Sequence, residues 1–141
     1  MANEAALVNS LHLVVGYVDY RPLPTSFYEN VTGSKGPCPG AFTASVEGTD
    51  VDFSQLTTPG LCRIINLDTT NSVDVGIWDP ETSTFYPYQR IHPGKSYVVY
   101  LSPDLQEQYG TGTGTTGANT NRMRVKAVTA ACNVSVEAFE A

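Results

Sequence analysis

The chain has 141 residues, an apolar share of 41% and a charged share of only 16%, against about 25% charged residues in an average soluble domain. Its net charge of −6 excludes a partner gripped through phosphates, because nucleic-acid binding draws most of its affinity from Lys and Arg, and it argues equally against an anionic membrane surface. No apolar run reaches the ~20 residues of a spanning helix, and Met1-Ala2-Asn3-Glu4 has no basic n-region and no signal-peptide core, so the chain reads as one made and kept inside a cell until something releases it.

The missing charges are replaced by Thr, Ser, Asn, Gly, Val and Tyr. Thr, Val and Tyr suit a pleated, half-buried surface, and Gly and Asn make its turns. The expected fold is all-β, a single antiparallel β-sandwich or barrel-like domain over residues 1–141 with about seven or eight strands and long loops.

In chain order, Leu11 to Val18 alternates Leu11, Leu13, Val15 and Tyr17 on one face, a strand by period. Pro22 and Pro24 interrupt the ladder, Phe27 to Val31 fits a short edge segment, and Thr32 to Gly40 is Pro/Gly-rich, so 21–40 reads mainly as loop. Ala41 to Val46 is a strand, and Glu47-Gly48-Thr49-Asp50 turns the chain. Leu61 to Leu67 follows Pro59-Gly60, and Asp68-Thr69-Thr70-Asn71 is an Asx-type turn. Val73, Val75 and Ile77 alternate with polar or small residues, and Asp79 to Ser83 closes a hairpin onto Phe85 to Ile91. After Pro93-Gly94 comes Ser96 to Leu101, completing an expected four-strand antiparallel meander. One helical turn is allowed around Asp104 to Tyr109, and residues 110–121, rich in Gly and Thr, read as a flexible loop. Arg122 to Val128 and Cys132 to Phe139 are the closing strands.

A catalytic constellation is not visible in this pattern. A nucleophile needs a base and an orienting group, yet His12 sits in a strand and His92 in a turn, and they are the only two histidines. Cys38, Cys62 and Cys132 are widely spaced thiols without a C-x-x-C pair, expected in or near the core rather than as metal ligands. Glu47, Asp50 and Asp52 lack the order of a calcium loop and read as a solvated acidic turn. No enzyme activity, cofactor or metal is therefore expected. Aromatic residues remain: Trp78, Tyr86 and Tyr88 are the candidate interface, with Tyr86 and Tyr88 on one face by alternation.

The block Pro59-Gly60-Leu61-Cys62-Arg63-Ile64-Ile65-Asn66-Leu67-Asp68-Thr69-Thr70-Asn71-Ser72-Val73-Asp74-Val75-Gly76 is more particular than its periodicity. It continues with Phe85-Tyr86-Pro87, with Arg90-Ile91-His92-Pro93-Gly94-Lys95 and with Val98-Val99-Tyr100-Leu101. This order resembles small β-sandwich virion structural proteins of tailed bacteriophages, of the capsid decoration or cement kind, over Pro59 to about Pro103. The Pro-rich 21–40 stretch and the Gly-Thr loop depart from that order. The resemblance implies a virion protein that binds the outer surface of the head and stabilises it. Its partner would be the major capsid protein or another virion protein. Assembly would take place in the host cytoplasm, with the chain as a homo-oligomer, trimer or dimer. Two other roles stay open: a neck, tail or baseplate accessory protein, and a carbohydrate-binding adhesion module using Trp78 with Tyr86 and Tyr88.

Overall fold

The computed structural model describes residues 4–30, 36–101 and 122–140, which are all-β and contain no helix. The expected turn at 104–109 and the loop at 110–121 lie outside the described residues. The chain divides into two compact units, Met1–Thr32 and Gly33–Ala141.

The first unit contains four short strands, β1 (Glu4–Asn9), β2 (Leu13–Val15), β3 (Val18–Tyr20) and β4 (Thr25–Asn30). Strand β1 pairs antiparallel with β4, and β2 with β3. The 11–18 segment is therefore not one strand. Gly16 and Tyr17 form a two-residue loop between the paired Val15 and Val18, with Gly16 at φ 58°. That conformation is open to glycine at no steric cost and lets it lead a tight hairpin loop. Strand β4 takes up most of the edge segment expected at Phe27 to Val31, beginning two residues earlier.

The second unit is a sandwich of two four-stranded antiparallel sheets. One has the order β10 (Ser96–Tyr100), β7 (Pro59–Asn66), β12 (Cys132–Glu140), β5 (Cys38–Ala44). The other runs β6 (Thr49–Asp50), β11 (Arg122–Ala127), β8 (Val73–Asp79), β9 (Thr84–Ile91). Alternation fills the space between them. Ile64 of β7 and Val134 and Val136 of β12 face inward from the first sheet, and Val75, Met123 and Val125 from the second, all with no exposed surface. The segment between β6 and β7 adds Val51, Phe53 and Leu56 to the same core.

The sheet is not the expected meander. The β8–β9 hairpin forms, but β7 pairs with β10 rather than β8, so the chain crosses to the second sheet after β7 and returns after β9. Asn66 joins the two crossings. Fully buried, it donates from Nδ2 to the carbonyls of Asn71 (2.8 Å) and Ile91 (3.1 Å). Its Oδ1 accepts the Asp68 N–H at 3.0 Å. Its own N–H reaches the Lys95 carbonyl at 2.9 Å, and its carbonyl accepts Gly94 N–H at 3.1 Å. Asp68 caps the first crossing by accepting the N–H groups of Asn71 and Thr70 at 2.7 Å each, and these bonds hold its carboxyl below the ordinary value.

The three cysteines are free and buried. Cys38 and Cys62 flank Ala138 across adjacent strands, two strand spacings apart or roughly 9–10 Å, beyond the ~7 Å limit for a disulfide. Burial pushes the Cys62 thiol from 9.0 up to about 12, helped by the nearby charge of Glu137. A raised folded-state value gives stability that is complete below the unfolded value and lost as pH rises through the folded one. Stability is therefore expected to fall from pH 9 toward pH 12. At pH 8.5 iodoacetamide is expected to leave Cys62 unlabelled in the native protein and to label it in urea; native labelling at the rate of a free thiol would contradict the burial.

Candidate functional site

Among the described residues, most of the exposed large apolar side chains lie in the first unit. Directly opposed residues of an antiparallel pair share a face, so Leu13, Val15, Val18 and Tyr20 lie together, while Val14 and Asp19 lie on the reverse. All four of the first group are 47–61% exposed. The reverse face is polar around Asp19, which accepts from Arg21 Nε at 2.8 Å and Nη2 at 2.7 Å and lies 2.9 Å from His12 Nε2. The Arg21 guanidinium holds the Asp19 carboxyl below its ordinary value. The hairpin tip is thus amphipathic, with one charged face satisfied internally and one apolar face left in water. Val8 and Tyr28 extend apolar exposure along the β1–β4 ladder.

Sequence reasoning overlooked this unit as a site because 11–18 was read as one strand by its period. The signal was there: Leu13-Val14-Val15 is apolar on both parities, which a strand buried on one face does not need.

The aromatic residues of the sandwich do not form one platform. Trp78 pairs with Phe85, and Ile77 with Tyr86, so Trp78 and Tyr86 project to opposite faces of the sheet. The Arg124 guanidinium covers one face of the Trp78 ring, 3.9 Å from its centroid, and donates from Nε to Asp50 Oδ1 at 2.6 Å. Arg122 Nη1 takes the other Asp50 oxygen at 3.0 Å. This stack of charge on ring is an arrangement within the chain, and it occupies one of the two faces of the ring. Tyr88 stands at a bulge, since Val75 pairs with Gln89 and Gly76 with Pro87. Simple alternation therefore does not run through it, and its ring meets Tyr97 of the other sheet with centroids 6.4 Å apart. Tyr86 and Tyr88 both remain exposed, 54% and 43%.

One pairing was not foreseen: Ser72 Oγ lies 3.2 Å from His92 Nδ1 at the two crossings. A hydroxyl activated for attack also needs the imidazole oriented by a third group. Among the described residues no carboxylate pairs with His92; the six ion pairs are made elsewhere. The bond instead ties the start of β8 to the end of β9. In the shallow depression lined by Ile65 to Thr69 with Pro93 and Gly94, two of the three polar side chains, Asn66 and Asp68, are already committed to backbone groups. Of the acidic turn, Asp50 is held by two arginines, and Asp52 accepts the Ser54 N–H at 2.8 Å.

Comparison with protein-family models, with curated proteins and with solved structures finds no match to this chain.

Proposed function

We propose that this chain is a structural protein of a tailed-phage virion, a capsid decoration protein that binds the outer surface of the head and stabilises it. One observation carries the assembly half of this reading. A 32-residue unit holds ten of the sixteen exposed large hydrophobic residues of the described chain. At roughly 100 Å² each, that is on the order of 1,000 Å² of exposed apolar surface, spread over both faces of the β2–β3 hairpin, its loop and the β1–β4 ladder, and comparable in total to one side of a standard interface. A chain that keeps such a surface in one of its units is suited to working inside an assembly.

The head as the assembly follows from the order of the Pro59–Leu101 block and its likeness to decoration proteins. The composition agrees: few charges with abundant Thr, Ser, Asn and Tyr favour adaptable hydrogen-bonded contacts over steering by strong fields. The major capsid protein is the partner of this reading, and no nucleic acid or membrane enters it.

Mixing the purified chain with mature heads lacking it is the direct trial. Co-sedimentation in a saturable ratio, with a rise in the temperature at which heads release DNA, is expected. Binding neither to heads nor to precursor shells overturns the proposal.

A further inference from the structure

We infer that the outer face of the β6–β11–β8–β9 sheet is a docking surface for an acidic patch on a protein partner. The inference rests on the reading that the chain works within an assembly, and it names the face that makes contact and the charge that face requires.

The face follows from alternation. Met123, Val125 and Ala127 of β11 are buried in the core, so Arg122, Arg124 and Lys126 project outward. Directly opposed residues share a face. Lys126 stands opposite Asp74 of β8, and Asp74 opposite Arg90 of β9, while Asp50 of β6 stands opposite Arg124. One sheet face thus gathers four of the chain's eight cations and only two of its fourteen carboxylates. The rest of the chain is therefore more acidic than the net charge of −6.

Internal pairing fixes this charge without cancelling it. Arg90 donates from Nε and Nη2 to the two Asp74 oxygens at 2.6 and 2.8 Å, which leaves its Nη1 group outside the fork. Arg122 and Arg124 share Asp50. Lys126 makes no ion pair among the described residues. The side chains of Arg90 and Arg122 are also more exposed, 53% and 38%, than the carboxylates they hold, 18% and 31%. A partner therefore meets guanidinium first. Held by their carboxylates and, for Arg124, by the Trp78 ring, these arginines lose little rotamer freedom on binding.

The partner's chemistry follows from the range of the attraction. Exposed charges are screened beyond about 8 Å at physiological salt, so the face attracts negative charge confined to its own width. A nucleic acid brings an unbroken line of phosphates, which would run past the face toward the acidic remainder of the chain. A patch of carboxylates on a folded protein can match the face alone. Arginine beside tryptophan is also the composition enriched at protein contacts.

The test compares two double variants that change charge equally. Arg90→Gln with Lys126→Gln removes two cations from the face, and Arg63→Gln with Lys95→Gln removes two that lie outside it. Three probes are titrated against each full-length protein: mature heads lacking the chain, poly-L-glutamate, and a thymidine oligonucleotide of equal charge. Wild type and the Arg63/Lys95 variant are expected to bind heads and poly-L-glutamate alike. The Arg90/Lys126 variant is expected to bind both about 10-fold more weakly and to lose most of the salt dependence. The thermal transition followed by Trp78 fluorescence separates lost docking from lost folding. Lys126→Gln alone, which breaks no ion pair, gives the same direction of change if Arg90→Gln lowers stability. Heads bound equally by both double variants overturn the inference and leave the decoration reading standing. Poly-L-glutamate bound through the face, with no binding to heads, does the reverse. Tighter binding of the oligonucleotide than of poly-L-glutamate assigns the face to nucleic acid and overturns the inference, as does binding to neither heads nor poly-L-glutamate.

Discussion

Replacing Asn66 with leucine is expected to remove about 3 kcal/mol of stability, the largest effect of any polar substitution in the sandwich. Leucine keeps the branching and the number of side-chain heavy atoms but has no polar atom, and its larger volume adds an overpacking cost at this fully buried position. Three side-chain bonds disappear at once. The Ile91 carbonyl is left buried and unpaired, while the Asn71 carbonyl and Asp68 N–H, at the edge of the crossing, can partly recover water. A buried group left without its partner costs about 1–3 kcal/mol, and losing the bonds at the two exposed ends adds to it. Equilibrium urea unfolding at neutral pH measures the loss, and a change below about 1 kcal/mol would show that the two crossings hold their course without this side chain.

The second large effect lies in the β8–β9 hairpin. A Cβ on Gly76 would sit 2.7 Å from Pro87 Cα and 2.8 Å from Phe85 Cε2, and closer still to the Tyr86 carbonyl oxygen. Two of these three neighbours are backbone, at the point where the Tyr88 bulge presses β9 against β8. They cannot swing away as a long side chain would. Alanine in place of a strand glycine normally gains about 0.5–1 kcal/mol, but here overpacking is expected to reverse the sign and cost about 2–3 kcal/mol net. Hydrogen exchange should localise the damage: amides of β8 and β9 lose protection while those of β12 and β5 do so less. A neutral or stabilising Gly76→Ala would show that the two strands lie further apart than described.

Much of the sandwich was legible in the residues. Period-two alternation marks β8, β11 and β12 because each has one face buried and one wet, and Asp79 to Ser83 marks the hairpin after β8. Strand pairing was not legible, because β7 carries apolar residues, Leu61 and Ile65, on its half-exposed face as well as Cys62 and Ile64 on its buried one. Nothing in Leu61 to Asn66 tells the neighbouring strand from the one across the core, and the deciding group is a single amide at Asn66 that also fits a plain turn. The bulge at Tyr88 adds one residue to β9 without disturbing its composition, so alternation counted through it fails. Gly16 was passed over because apolar residues continue on both sides of it. At Trp78 the sequence shows an aromatic residue free to bind, whereas Arg124, forty-six positions later, supplies the cation that covers it.

These details assign the sandwich's polar and aromatic residues mostly to holding its own shape, and leave the N-terminal hairpin as the apolar surface with unmet demand. The proposal of a head-binding protein is tested most directly by a symmetric reconstruction of virions assembled from the genome that encodes this chain. The account predicts density for the two four-stranded sheets on the outside of the shell, repeated at equivalent sites over the major capsid protein. Density confined to the neck or tail, or a virion that lacks the chain altogether, would contradict it.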